Sequence, residues 1–421
     1  MASVRFLGAA SEVGRSGFVV DVGEKILLDY GVKLTPKGIE YPLPVTENLA
    51  AVVISHAHLD HTGQLPHLFT KSNTMTYMTP PTLELSKMLW FDTLKIAGLE
   101  AMDASFSKQE IHAVEKFTFA VHYNRKLKVG ENTSIELTDA GHIAGSAITK
   151  LTSPRDKTIV YTGDIRLDDT RLQVGADLPK GDCDALIIES TYGDRDHDDR
   201  KETEKTFVGD IQDTIDRGGT ALVSSFAVGR SAEMVDILNE YNLNADIYLD
   251  GMCQKAARIY MSYPKYIRNP SFLKKSLDRA HWVKNISMRK AALKKPSVIV
   301  TTSGMLQGGP VYAYLPEIYK DENSKLFLTG YQVEGTPGRI LLETGKINLN
   351  GIVVKPKMKV EKYDFSSHAG KSELLKIIAK LNPKKVVLVH GDIEVMKKLL
   401  KTLKSEGFDA VAPHIGDELV I

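Results

Sequence analysis

The chain has 421 residues, room for about two or three domains of ordinary size. With 43% hydrophobic and 25% charged residues it is not a disordered, collagen-like or coiled-coil chain, and its two cysteines, Cys183 and Cys253, exclude a disulfide scaffold. Lysine plus arginine total 54 against 53 acids, so net charge leaves the partner class open and the distribution of charge must decide it.

The opening segment, MASVRFLGAASEVGRSGF, lacks the apolar run of a secretory signal. No stretch reaches the roughly 18 apolar residues of a membrane span, so a cytoplasmic protein is expected. Val4 to Leu7, Gly17 to Val22 and Lys25 to Leu28 read as short strands separated by glycine or charge. Leu49 to Ser55 reads as a buried strand whose C-terminal end carries HAHLDH. The residues after Pro80 have helical spacing and stop at Gly98. Strands follow at Thr133 to Thr138, Thr158 to Tyr161 and Ala185 to Ile188. Strand then alternates with helix: Ala221 to Ser225 before a helix over FAVGRSAEMVDILNEY, Ala245 to Leu249 before a helix beginning near Met252, then strands Ser297 to Thr302 and Lys325 to Leu328. Such alternation predicts a parallel α/β domain. The end of the chain repeats it, with helices over KSELLKIIAKL and EVMKKLLKTLKSEG around a strand at Lys385 to Val389.

Between Gly251 and Lys295 lie twelve lysines and arginines, one acid (Asp278) and the interleaved aromatics Tyr260, Tyr263, Tyr266, Phe272 and Trp282. Such a stretch can face nucleic-acid phosphates, or can be a solvated helical face over ordinary core aromatics.

The chemistry starts at His56, His58, Asp60 and His61, an H-x-H-x-D-H pattern of nitrogen and oxygen donors. Residues 56 and 58 share one side of an extended segment, and Asp60 and His61 belong to the following turn. One compact turn can therefore feed two adjacent metal ions, which clamp the oxygens of a displacement reaction. Desolvating four such groups without an ion would be expensive. His142 in GHIAGS, Asp164 in YTGDIR and His390 in LVHGD each follow an apolar strand and are the candidates to complete the ligand set. Asp29, in ILLDYG, has the same placement and is suited to orienting a ligand histidine.

With these residues in view, the sequence resembles the metallo-β-lactamase superfamily and, within it, the β-CASP nucleases, which include ribonuclease J and the cleavage and polyadenylation specificity factor endonucleases. The likeness is to compact members without KH domains and covers essentially the whole chain. Asp29, HAHLDH at residues 56–61, His142 and Asp164 match the superfamily motifs. Glu189 in IIESTYG, His368 in DFSSHA and His390 match the three further motifs of the β-CASP branch.

The resemblance implies an α/β architecture, an αββα metallo-β-lactamase sandwich with an inserted parallel α/β β-CASP domain. Residues 1–190 would form most of the sandwich, 191–360 the insertion and 361–421 the return. It implies two zinc ions per chain, with manganese a substitute in vitro: His56, His58 and His142 for the first, Asp60, His61 and His390 for the second, and Asp164 bridging. His368 would contact the phosphate or protonate the leaving oxygen, held in orientation by Glu189; the alternative is a buried histidine with a purely structural bond to Ser366 or Glu189. The implied partners are single-stranded RNA, a second copy in a homodimer, and an RNA-processing or decay complex. No membrane is implied.

Three turns are candidates for holding the RNA backbone: Ser303, Gly304, Gly308 and Gly309 after one strand, the turn from Gly330 to Arg339, and Ser225, Arg230 and Ser231 at a helix start. None is a Walker A motif, so no nucleotide cofactor is expected. The reading favoured on the sequence is a zinc-dependent ribonuclease of RNA processing or decay, with a slight leaning to 5′-to-3′ exonuclease action. The alternatives are an endoribonuclease for RNA 3′-end processing and an RNA-binding or scaffold subunit active only with a partner.

Overall fold

The computed structural model describes residues 2–153, 157–181 and 183–421. They form two compact units, Met1–Asp196 with Ser367–Ile421, and His197–Ser366.

In the first unit two sheets lie face to face. One has the strand order Glu418–Val420, Ser3–Gly8, Gly17–Asp21, Lys25–Leu28, Ala51–Val53, Thr76–Met78, Thr118–Ala120. The other runs Ala410–Val411, Lys385–Val389, Ala185–Glu189, Thr158–Tyr161, Ala147–Thr152, Thr133–Asp139, Lys126–Val129. The strands are apolar on both faces because each face is covered. Val4, Phe6, Phe18, Val20, Ile26 and Leu28 meet Ile135, Leu137, Leu151, Ile159 and Ile187 of the opposite sheet in one core. The intervening Leu7, Val19 and Leu27 point outward, into a second core shared with Trp90 of the helix Pro80–Leu99 and Ile111 and Val114 of the helix Lys108–Lys116. The outer face of the other sheet packs Ile148, Leu186 and Leu388 against Leu374 and Ile377 of the helix Lys371–Leu381 and Met396 and Leu399 of the helix Ile393–Ser405. Helix, sheet, sheet and helix make four layers, the αββα sandwich.

The order of the second sheet has one consequence for chemistry. Thr158–Tyr161, Ala185–Glu189 and Lys385–Val389 are adjacent and parallel. Their C-terminal ends therefore lie side by side, and Asp164, Glu189 and His390 occupy those ends.

The second unit is built on a parallel sheet ordered His281–Trp282, Asp246–Asp250, Ser297–Thr301, Thr220–Ser224, Lys325–Leu328, Lys359–Lys362. Leu222, Ile299, Leu326 and Leu328 pack one face. Phe207 of the helix Arg200–Asp216 sets its edge against Phe327, with ring centroids 5.6 Å apart.

Two local expectations change. The run Leu49 to Ser55 is a strand only over Ala51–Val53, because the chain turns there to carry the metal-ligand motif. The helix expected from Phe226 begins at Arg230, since Gly229 before it is left-handed at φ 78°. The C-terminal HIGDELVI contributes Glu418–Val420, which pairs antiparallel with Ser3–Gly8 of its own unit. Among the described residues no helix is long and apolar enough to cross a membrane.

Candidate metal centre

Asp29 ends the strand Lys25–Leu28 in a left-handed conformation, φ 56°, and is fully buried. Its Oδ1 accepts the Ser55 amide at 2.7 Å. Its Oδ2 accepts the Ser55 hydroxyl at 2.7 Å, the Tyr161 hydroxyl at 2.6 Å and His61 Nδ1–H at 2.7 Å. The Ser55 oxygen stands 3.1 Å from His56 Nδ1, so with its own proton on Asp29 it accepts from that ring. The network assigns both ring protons to Nδ1 and leaves His56 Nε2 and His61 Nε2 as lone pairs. His142, on the loop between Thr133–Asp139 and Ala147–Thr152, donates Nδ1–H to the Ser367 carbonyl at 2.9 Å. Its Nε2 is likewise free of a proton.

These lone pairs converge. His58 Nδ1 lies 3.1 Å from His56 Nε2 and 3.2 Å from His142 Nε2. Asp164 Oδ2 lies 3.4 Å from the first of those Nε2 atoms and 3.6 Å from the second. Four donors bonded to one zinc ion at roughly 2.0–2.1 Å stand about 3.3–3.4 Å apart along the edges of a tetrahedron, so the spacing fits that ion. The other carboxylate oxygen, Asp164 Oδ1, faces His61 Nε2 at 3.3 Å and His390 Nδ1 at 3.4 Å. Asp60 Oδ2 lies 3.2 Å from His390 Nε2 and 4.0 Å from His61 Nε2. His61 Nε2 and Asp164 Oδ1 are buried without a hydrogen-bond partner. Orphaned polar atoms in a buried site are costly, and a cation between them satisfies both. The donor set therefore fits metal ions.

The electrostatics agree. Burial holds the His56, His58 and His142 rings below the usual imidazole range, and neighbouring imidazoles push the same way. Ligand histidines must be neutral to bind a cation. Burial opposes charge on His61 too, but Asp164, Asp60 and Asp29 outweigh it and raise its pKa. Asp164 is held well below the carboxylate range despite its burial, chiefly by His390, His61 and His368.

His368 stands beside this group, its Nδ1 3.9 Å from Asp164 Oδ2. Nδ1–H donates to Glu189, with both carboxylate oxygens at 3.0 Å. Glu189 is fully buried and also accepts the Ile165 amide at 2.8 Å. Burial works against a charged His368, but Glu189 and Asp164 prevail and push its pKa up to about 9. The ring remains partly exposed, at 21% of its side-chain area.

Sequence reasoning did not name Ser55, Tyr161, the Ser367 carbonyl or Arg166, which donates to the His368 carbonyl at 3.2 Å. Ser55 directly precedes HAHLDH and Tyr161 directly precedes TGD, and that adjacency is the signal that could have found them. The remaining candidates lie in the second unit. Ser231 is buried and donates to the Phe226 carbonyl at 2.6 Å, and buried Arg230 pairs with Glu233. These two are thus engaged within the fold and do not form an open surface patch. The Ser225 hydroxyl is buried without a hydrogen-bond partner. Ser303 Oγ accepts the Gln307 amide at 2.8 Å, Gly304 is buried against Phe226, and Gly308 and Gly309 are exposed with positive φ. The Ser366 amide donates to Asp364 at 3.0 Å, and Glu189 is a partner of His368. In the basic stretch, Tyr260 and Tyr266 are core residues, while Trp282 is half-buried and donates Nε1–H to the Leu277 carbonyl at 2.9 Å.

Comparison with known proteins agrees with this geometry. Residues 19–178 match the model of the metallo-beta-lactamase superfamily domain, 233–341 the Beta-Casp domain, and 353–413 the Zn-dependent metallo-hydrolase RNA specificity domain. "Probable RNase MJ4" of Methanocaldococcus jannaschii is 42% identical over 99% of this chain and 99% of its own length. The chain belongs to the β-CASP family of metallo-β-lactamase-fold nucleases. "RNase aCSPSF2" of Saccharolobus solfataricus is 35% identical over 99% of this chain and 85% of its own. "Transcription termination factor FttA" of Pyrococcus abyssi is 33% identical over 97% of this chain and 69% of its own. A solved structure of a protein of unknown function from Enterococcus faecalis V583 superposes over the full length of both chains with TM-score 0.63 at 16% identity, a likeness of fold. This β-CASP protein is a metal-dependent ribonuclease.

Proposed function

We propose that the chain is a two-zinc endoribonuclease that cuts RNA internally, in 3′-end processing or transcript release. The observation that carries the two-ion reading is the division of Asp164: Oδ2 faces His56 and His142, and Oδ1 faces His61 and His390. His56, His58 and His142 would hold one ion, Asp60, His61 and His390 the other, with Asp164 between. When bound, such a pair supplies Lewis acidity and lowers the pKa of a coordinated water.

The chain's own groups supply the rest. Asp29 and Ser55 keep the Nδ1 protons of His61 and His56 in place, so that both rings present Nε2. Glu189 anchors His368 through Nδ1, and the partly exposed ring would contact the scissile phosphate and deliver a proton to the departing oxygen. The Glu189 carboxylate against Nδ1–H favours the protonated ring.

The leaning to 5′-to-3′ exonuclease action rested on likeness to compact ribonuclease J-like proteins. Several relatives instead carry the name transcription termination factor FttA. Release of a growing transcript calls for a cut within the chain, and this supports the endonuclease alternative. A homodimer and an RNA-processing assembly belong to the same reading.

Metal-loaded protein is incubated with one RNA carrying a labelled 5′ monophosphate, and the products are resolved by size over time. Labelled fragments of intermediate length are expected. Early release of labelled mononucleotide would restore the exonuclease reading, and no cleavage would point to a required partner.

A further inference from the structure

The loop of residues 9–16 ties together two parts of the metal centre that are 330 positions apart in sequence, Asp60 and His390. The Ala9 carbonyl accepts the His390 amide at 2.7 Å, and the Glu12 carbonyl accepts the Gly391 amide at 3.2 Å. At its other end the Ser16 amide donates to the Asp60 carbonyl at 2.8 Å. One short loop thus fixes the backbone of Asp60 and of His390.

The loop does not hold this shape by backbone preference. Ala9, Ser11 and Arg15 have φ of 52°, 62° and 46°, the left-handed region disfavoured for residues with a side chain. His390 itself sits at φ 49°. Backbone bonds to Val32, Asp60 and His390 and side-chain ties keep the conformation: Ser11 Oγ donates to the Pro413 carbonyl at 2.9 Å, and the charged ties centre on Glu12. Its Oε1 accepts Arg15 Nε at 2.5 Å and its Oε2 accepts Lys33 Nζ at 2.8 Å. The Glu12 side chain is 15% exposed, so solvent screens these ion pairs only in part. Arg15 continues outward to the Tyr41 carbonyl at 3.0 Å.

We propose that Glu12 is a positioning residue for the metal ion held by Asp60, His61 and His390: it locks the 9–16 loop, and the loop sets the distance between Asp60 and His390. The proposal rests on the two-ion reading above. The first ion's histidines, His56, His58 and His142, have no hydrogen bond to this loop among those described. Loss of the Glu12 lock therefore loosens one ion and spares the other.

The test is a zinc competition titration against a chromophoric chelator on the full chain, with thermal melting of the metal-free protein alongside. The wild type should hold two equivalents. In Glu12→Gln, one equivalent should be withdrawn at a chelator strength roughly tenfold lower, the scale of lost outer support for a ligand, while the other stays at its wild-type position. Lys33→Met should shift the same equivalent by less, and it carries the test if Glu12→Gln does not fold. Glu47→Gln breaks the Arg5–Glu47 ion pair at 2.6 Å, away from the loop, and should leave both equivalents in place. A merely structural role would lower the melting temperature and move both equivalents together. That result, or no movement of either, overturns the proposal. A wild type that holds one equivalent overturns the two-ion reading, and the proposal with it.

Discussion

Asp29→Ala and Asp29→Asn separate the two jobs that the geometry gives this carboxylate. Four donors converge on it at 2.6–2.7 Å: the Ser55 amide on Oδ1, and the Ser55 hydroxyl, the Tyr161 hydroxyl and His61 Nδ1–H on Oδ2. Alanine removes every acceptor. The hydroxyls can rotate to other acceptors, but the Ser55 amide and His61 Nδ1–H cannot. Each buried donor left unpaired costs roughly 1–3 kcal/mol, so about 2–6 kcal/mol of stability is at stake. Freed from its anchor, His61 should bind metal about 10–100-fold more weakly, a loss of roughly 1.4–2.7 kcal/mol. Asparagine behaves differently. Turned so that its oxygen takes the Oδ2 place, it still accepts from His61 and sets its NH2 against the single Ser55 amide. One donor is then orphaned, at a cost of roughly 1–3 kcal/mol, and metal affinity should fall less than about tenfold. Chelator competition reads the affinity and thermal melting of the metal-free chain reads the stability. Wild-type affinity in a folded Asp29→Ala chain would refute the claim that Asp29 orients His61.

Removing metal should lower the melting temperature. At free zinc one hundred times the dissociation constant, binding adds about 2.7 kcal/mol, or roughly 5–10 °C for a unit of this size, and calorimetry with and without chelator checks it. His368→Gln should lower kcat by roughly 10²–10⁴-fold with metal content unchanged, the signature of a lost proton donor; metal loss in that variant would instead make His368 a ligand. Asp139 is pushed up to about 7, chiefly by burial and also by the Asp177 charge. A carboxyl that binds its proton more tightly when folded stabilises the fold fully below the unfolded pKa of about 4, and that contribution is lost as pH rises towards 7. Asp139→Asn should therefore raise the melting temperature more at pH 8 than at pH 5, by an amount worth roughly 2–3 kcal/mol; equal shifts at both pH values would refute this.

The legible parts of this protein are those whose signal is local. HAHLDH, GHIAGS, YTGD and LVHGD each join a donor to the end of an apolar strand, and the structure brings His56, His58, His61, His142, Asp164 and His390 within a few ångströms. Elements hidden by composition were harder. The helix Arg200–Asp216 buries Glu204, Phe207, Val208, Ile211 and Thr214, a stripe interrupted by two polar residues and masked by its many charges. Ser55 and Tyr161 serve Asp29 from separate strands, and hydroxyls carry no spacing pattern that predicts a partner. Ser231 read as an open helix-start donor and is buried, because the helix Arg230–Glu240 is enclosed on most of its surface.

The return of the chain at Ser367 has a consequence for synthesis. A ribosome that has made the first 366 residues has produced the HAHLDH turn, His142 and Asp164, but neither His368 nor His390. It has also not made Lys385–Val389, which pairs with Ala185–Glu189, nor Glu418–Val420, which closes on Ser3–Gly8. Such long-range pairings form slowly and late. On the reading proposed above, a nascent chain that stops short of His368 and His390 would lack the groups that cut the messenger RNA beside it.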